Sequence, residues 1–155
     1  MSEINIKKII ENLIDTFLKA GKISLELRKK GLIKKIKKDN TPVTNGDLEV
    51  NKIITSKIIE LTPNIPIISE ETSDNKTLEN LKDFWLIDPI DGTHDYLNNL
   101  EEFTINAGLI VERKPVAGLI YAPAKNRMFF SYGENLAFEL INEKATKLNS
   151  AKNFN

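Results

Sequence analysis

The chain has no cysteine and a single histidine, His94, among its 155 residues. The missing cysteines exclude disulfides, thiolate metal sites and cysteine nucleophiles. A single imidazole also excludes any site that needs two. Any metal site must therefore be built from oxygen ligands, which favour hard cations such as Mg²⁺.

An excess of charge and a long apolar run are also missing. The 22 Lys and Arg residues balance the 22 Asp and Glu residues, which argues weakly against binding of a nucleic acid polymer through phosphate neutralisation. No stretch approaches the ~20 apolar residues that span a membrane, and the first residues do not resemble a secretion signal. These absences predict a cytoplasmic chain without membrane insertion.

What is present is the composition of one globular domain, with 41% apolar and 28% charged residues. We expect the domain to cover residues 1–145, followed by a tail over 146–155. Apolar residues at helical spacing predict a helix over about 3–30 that ends near Gly31. A second helix should begin near Thr44, which can cap it, and Thr62-Pro63-Asn64 should end it. Its expected buried stripe is Leu48, Val50, Ile53, Ile54, Ile58 and Leu61.

The second part of the chain has the apolar pattern of strands. The predicted strands cover residues 66–69, 84–87, 103–111, 116–121, 128–132 and 136–141, and the polar residues 72–83 should form a surface excursion. The short joins between the later strands favour antiparallel neighbours. The sequence therefore predicts an α+β fold with two amino-terminal helices packed on an antiparallel sheet.

The strongest chemical signal is the string Trp85-Leu86-Ile87-Asp88-Pro89-Ile90-Asp91-Gly92-Thr93. A buried strand should deliver Asp88, and Pro89 should end that strand because it cannot donate to the ladder. The turn can bring Asp91 back near Asp88, while Thr93 opens a short helix whose free amides suit an anion. Two carboxylates beside an anion site suggest a metal that bridges protein and phosphate.

Further acids stand at Glu70-Glu71, after an apolar strand, and at Asp47, where the second helix begins. Each acid also has an ordinary structural interpretation, because Asp before Gly is common in turns and Asp is common in a first helical turn. The structural interpretation of Glu71 is a solvated surface acid. The basic residues over 34–38 are either a solvated face or a rim that attracts phosphate.

Together these strings resemble the inositol monophosphatase superfamily. Its signature is similar to W-x-[IVL]-D-P-[IL]-D-G-T, preceded by a Glu-Glu pair and a Thr-x-x-Asp helix start, and the resemblance runs from about Lys38 to Pro123. It implies a Mg²⁺-dependent phosphomonoesterase that uses metal-activated water. The implied roles are metal ligands at Glu70, Asp88, the Ile90 carbonyl and Asp91, catalytic groups at Asp47, Glu70 and Thr93, and phosphate-binding amides at Gly92 and Thr93.

The branch is indicated by His94-Asp95-Tyr96 and by Glu102-Phe103-Thr104-Ile105-Asn106, which resemble CysQ-type 3'(2'),5'-bisphosphate nucleotidases. The implied substrate is 3'-phosphoadenosine 5'-phosphate, which would give AMP and phosphate. The alternative is an inositol monophosphatase.

The chain also departs from the pattern of this family. Family members usually have a second α/β half that supplies another Asp in a Trp-Asp motif, whereas here no Asp follows Asp95 and Trp85 is the single Trp. We therefore expect this chain to lack that half and to have impaired activity. A further alternative is a non-catalytic half-enzyme that forms a homodimer or pairs with a separately encoded second half.

Overall fold

Two long helices pack on one side of a large sheet. The computed structural model describes residues 5–72 and 80–149. Helix α1 spans Ile6–Lys30 and helix α2 spans Asn45–Leu61. The Asn5 side chain caps α1 by accepting a hydrogen bond from the Lys8 amide at 3.1 Å, and Gly31, at a φ of 100°, ends it.

The main sheet has seven strands in sequence order. Its first strand (Ile67–Ser69) is parallel to the second (Phe84–Asp91), and every later neighbour is antiparallel, as the short joins predicted. The strands are β3 (Ile67–Ser69), β4 (Phe84–Asp91), β5 (Thr104–Val111), β6 (Lys114–Ala122), β7 (Arg127–Ser131), β8 (Ala137–Ile141) and β9 (Lys144–Lys147). A short helix, α3, spans Thr93–Leu97, and a 3-10 helix spans Pro123–Lys125.

The hydrophobic core lies between the two helices and one face of this sheet. Its largest fully buried side chains include Phe17 of α1, Ile54 of α2 and Trp85 of β4. The Trp85 indole donates a hydrogen bond at 3.0 Å to the Thr62 hydroxyl at the end of α2, so the buried N–H is satisfied. The α+β architecture predicted from the sequence is confirmed.

Helix α2 begins as predicted but differs in its buried stripe. Thr44 and Asp47 form a capping box, in which each side chain bonds the other residue's backbone amide. Val50, Ile54 and Ile58 are fully buried, whereas Leu48 is 45% exposed, so its assignment to the stripe was wrong. Leu48 follows Asp47 directly, and the helix turns it away from the side that carries the buried carboxylate.

Two features were not predicted. The basic segment forms a small hairpin in which β1 (Lys34–Ile36) pairs with β2 (Pro42–Thr44), and β9 adds a strand beyond residue 141. Of the expected surface excursion over 72–83, residues 73–79 lie outside the described part of the chain. None of the helices within residues 5–72 and 80–149 has the length and apolarity to cross a membrane.

Candidate active site

Strand β4 carries the central acids through an irregular stretch. Its ladder with β5 pairs Asp88 with Asn106 and Asp91 with Thr104, so β4 advances three residues (88 to 91) while β5 advances two (106 to 104). The prediction that Pro89 ends the strand was therefore wrong. A proline without an N–H is tolerated at a bulge, and the strand continues to Asp91.

Asp88 is the most perturbed acid of this region. Its Oδ1 atom is buried and has no hydrogen-bond partner. Burial raises the pKa of Asp88 to about 7, and a hydrogen-bonding contact with Glu70 and the negative charges of Glu70, Asp91 and Glu71 act in the same direction. A buried carboxylate oxygen without a donor is costly, and a cation would relieve that cost.

The parallel pairing of β3 with β4 brings the two glutamates to this place. Ser69 is opposite Ile87, and the Glu70 amide donates to the Ile87 carbonyl at 3.1 Å. Glu70 therefore stands beside Asp88. The Glu71 side chain is only 4% exposed, so Glu71 is not simply a solvated surface acid.

Lys37 reaches both glutamates from the β1–β2 hairpin. Its Nζ lies 3.7 Å from Glu70 Oε1 and 3.5 Å from Glu71 Oε1. Burial lowers the pKa of Lys37, but the charges of Glu71 and Glu70 outweigh that effect and the pKa is raised overall. Burial raises the pKa of Glu71 and Lys37 opposes it. The sequence placed Lys37 only in a basic run, because a contact across 34 residues leaves no local pattern.

Asp47, in the first turn of α2, and Thr93, at the start of α3, are joined by a hydrogen bond. Asp47 is fully buried. Its Oδ2 accepts from the Thr44 amide at 3.0 Å, and its Oδ1 accepts from the Thr93 hydroxyl at 3.0 Å. The Thr93 hydroxyl also lies 3.2 Å from the Ile90 carbonyl oxygen. Because it has one hydrogen to donate, Thr93 bonds either Asp47 or Ile90 at a given moment.

Gly92 joins the irregular end of β4 to α3. It adopts a φ of 87°, and a Cβ built there would lie 2.8 Å from the Glu102 carbonyl oxygen. Both conditions favour glycine. The chain can thus turn sharply after Asp91 and place Thr93 at the start of α3, as the sequence predicted.

The structure brings the predicted residues into one region, but their side chains are not arranged as a complete set of metal ligands. Within residues 5–72 and 80–149, no three Asp, Glu or His side chains have a geometry ready to hold a metal ion. The Asp47 carboxylate accepts hydrogen bonds from the Thr44 amide and the Thr93 hydroxyl, and Glu70 forms an ion pair with Lys37. The donor set of carboxylates and the Ile90 carbonyl nevertheless fits a hard cation, as does the unpartnered Asp88 oxygen.

A groove of about 980 Å³ extends from these acids over the face of the sheet opposite α1 and α2. Lys37, Glu70 and Asp88 line its polar end. Leu86 and Ile120, which are 44% and 49% exposed, line its apolar part. The groove combines an acidic end with an apolar floor, as small-molecule sites commonly do.

Comparison with known proteins decides the family. The model of the inositol monophosphatase family matches residues 5–153. The chain belongs to the inositol monophosphatase family.

Several curated proteins that match the chain are 3'(2'),5'-bisphosphate nucleotidases CysQ. The protein from Haemophilus influenzae is 34% identical over 131 residues, which are 83% of this chain and 49% of the relative. The protein from Buchnera aphidicola is 36% identical over 132 residues, which are 83% and 50% of the two chains. This chain thus spans about half the length of the curated relatives that it matches.

Solved structures show the same fold. An IMPase from Thermotoga maritima superposes with a TM-score of 0.76 at 23% identity, over 93% of this chain and 54% of that one. An IMPase/NADP phosphatase complexed with Mg²⁺ and phosphate gives a TM-score of 0.74 at 21% identity, over 86% and 51% of the two chains. At these identities the likeness shows the fold alone.

Proposed function

We propose that this chain carries the metal-binding part of a magnesium-dependent phosphomonoesterase that hydrolyses 3'-phosphoadenosine 5'-phosphate to AMP and phosphate. The observation that carries the proposal is the buried, unpartnered Oδ1 of Asp88 among neighbouring acids. Such an atom suits a cation, because a cation would relieve the cost of burying a carboxylate oxygen without a partner. The Mg²⁺ and phosphate named for one structural neighbour support the same chemistry.

In this proposal the metal would be held by Asp88, Asp91, Glu70 and the Ile90 carbonyl. When bound, magnesium would neutralise phosphate charge and lower the pKa of the attacking water. The Gly92 and Thr93 amides would hold the phosphate at the start of α3. The site would thus place the phosphorus beside the acids and align it for in-line attack.

Thr93 and Asp47 would orient the water. When the Thr93 hydroxyl donates to Asp47 Oδ1, at 3.0 Å, its oxygen lone pairs remain free to accept a hydrogen bond from water. The water oxygen can then face the phosphate, and Glu70 can assist by accepting the proton that the water loses. This division of roles needs no covalent intermediate with the protein.

The substrate branch rests on similarity to the CysQ relatives rather than on contacts seen at the site. Tyr96 and Phe103, from the two strings that indicated the branch, are fully buried and pack with ring centroids 4.8 Å apart. Glu102 pairs with Lys125 at 3.0 Å at the surface. These residues support the fold around α3, so inositol phosphate hydrolysis stays the alternative.

A non-catalytic half-enzyme is the second candidate, and the groove favours it. Leu86 and Ile120 leave an apolar strip open beside the acids, and an exposed apolar surface of this kind promotes association. Phosphate release from 3'-phosphoadenosine 5'-phosphate, with Mg²⁺ and then with chelator, separates the two candidates. A chain that binds Mg²⁺ but releases no phosphate favours the half-enzyme.

A further inference from the structure

Tyr96 of α3 is a core residue whose side chain is fixed by several contacts. Its side chain is fully buried, and its hydroxyl donates to the Ser24 carbonyl of α1 at 2.6 Å. The Arg28 guanidinium lies over the ring at 5.7 Å, and Arg28 also donates to the Leu100 carbonyl at 2.7 Å. The ring therefore has little freedom to move when a neighbour presses on it.

Gly46, in the first turn of α2, lies directly against this ring. A Cβ built on Gly46 would be 2.3 Å from Tyr96 Oη and 2.6 Å from Cε1. These separations are far shorter than van der Waals contact, so only a residue without a side chain fits. The absence of Cβ lets the start of α2 approach α3 closely.

This contact stands beside the catalytic hydrogen bond proposed above. Gly46 directly precedes Asp47, and Thr93 lies one turn before Tyr96 on α3. The same two elements are thus joined both by the Gly46–Tyr96 contact and by the Thr93–Asp47 hydrogen bond of 3.0 Å. We infer that Gly46 and Tyr96 are positioning residues, which set the separation of α2 and α3 so that Thr93 can donate to Asp47.

The inference rests on the proposed function for its catalytic meaning. A methyl group at Gly46 would require a shift of about 1 Å to regain an ordinary contact of 3.4 Å. Such a shift lengthens the Thr93–Asp47 bond beyond hydrogen-bonding range. The Thr93 hydroxyl then turns to its other acceptor, the Ile90 carbonyl at 3.2 Å, and no longer orients the water through Asp47.

A double-mutant cycle tests the inference without relying on activity. Gly46→Ala is made in the wild-type chain and in Thr93→Val, and urea unfolding midpoints are measured for all four proteins. Gly21→Ala is the matched control, because its Cβ would lie 2.2 Å from the Tyr121 ring at a different contact of a helix. Both changes replace glycine by the better helix former.

We expect Gly46→Ala to lower the midpoint clearly in the wild-type chain and much less in Thr93→Val, where the hydrogen bond is already lost. Gly21→Ala should lower it equally in both backgrounds. An equal effect of Gly46→Ala in both backgrounds would overturn the inference. If Gly46→Ala does not fold, Tyr96→Phe takes its place in the cycle with the same expected pattern, because it removes the Oη atom that bonds the Ser24 carbonyl and lies against Gly46.

A kinetic cycle then tests the catalytic meaning. Gly46→Ala should lower kcat by roughly tenfold to a hundredfold, as a displacement near 1 Å does in other enzymes, with KM nearly unchanged. In Thr93→Val the further loss should be less than about twofold, and Tyr96→Leu added to Gly46→Ala should restore part of kcat. A fall in kcat of equal size in both backgrounds contradicts the inference. If the wild-type chain releases no phosphate, the proposed function fails, while the unfolding cycle still decides whether the contact sets the hydrogen bond.

Discussion

The Thr93 hydroxyl donates a 3.0 Å hydrogen bond to Asp47 Oδ1 across 46 residues of sequence. The bond joins the start of α3 to the start of α2, and it uses one carboxylate oxygen while the Thr44 amide uses the other. Asp47 is therefore held in a single orientation, and its charge is directed at the hydroxyl that we propose to orient the water.

This arrangement predicts the effect of removing the Thr93 hydroxyl. Thr93→Val should lower kcat by about a hundredfold or more, the size of effect that positioned acid–base groups have in enzymes, with little change in KM. Thr93→Ser keeps the hydroxyl and is the control, which should retain most of the activity. Steady-state phosphate release measures both. Equal rates for the valine and serine variants would show that the hydroxyl has no catalytic role.

The acids around Asp88 predict magnesium binding. Calorimetry should detect binding of Mg²⁺, and Asp88→Asn should abolish it, because the amide cannot supply the missing charge. Because the pKa of Asp88 is about 7 in the metal-free chain, binding near pH 7 should release protons, seen as a dependence of the heat on the buffer. Glu60→Gln is the control, since Glu60 is exposed and pairs with Lys57 on the surface of α2. Unchanged binding in Asp88→Asn would exclude Asp88 as a ligand.

The same pKa predicts how stability depends on pH in chelator. The pKa of Asp88 is raised from its ordinary value near 4 to about 7, so the folded chain binds a proton more tightly than the unfolded chain. The contribution of Asp88 to the free energy of unfolding is fully present below about pH 4, and it is lost as the pH rises through 7. Urea midpoints should therefore decrease from pH 5 to 8, and Asp88→Asn should flatten the slope. An unchanged slope in Asp88→Asn would assign it to other groups.

The open strip of the groove predicts association. We expect light scattering to show dimers or larger species rather than a monomer, because Leu86 of β4 and Ile120 of β6 are 44% and 49% exposed along the same groove. Replacing both by Gln should shift the population towards monomer. Ile59→Gln is the control, since Ile59 is 57% exposed but belongs to α2 on the opposite side. A monomeric wild-type chain would contradict this prediction.

The sequence predicted most elements because their signals are local. Helix α1 has apolar residues at helical spacing, and α2 has a cap at Thr44 with Asp47 three residues later. The strands from β5 to β8 are separated by short joins, so their antiparallel order followed directly. The errors at Leu48 and Pro89 arise because local patterns do not show tertiary contacts. Helical periodicity did not show which face of α2 is buried at Leu48, and the propensity of proline to end strands did not show that β4 has a bulge at Pro89.

Contacts between distant segments could not be predicted from the sequence. The ion pairs of Lys37 with Glu70 and Glu71 depend on how the β1–β2 hairpin folds over β3. The fit of Gly46 against Tyr96 depends on the packing of α2 on α3. The resemblance to a family indicated which acids belong to the site, but the orientation of each acid is set by its partners in the folded chain.

The most direct test of the central claim is phosphate release from 3'-phosphoadenosine 5'-phosphate by the purified chain with Mg²⁺. We expect slow release, well below the ~10 s⁻¹ of a usual enzyme, since the resemblance implies a further metal-binding Asp and this sequence has no Asp after Asp95. The release should stop in chelator and in Asp88→Asn, continue in Glu60→Gln, and exceed that from inositol 1-phosphate in kcat/KM. Release that is equally fast in Asp88→Asn or in chelator, or none above background in the wild-type chain, would contradict the account.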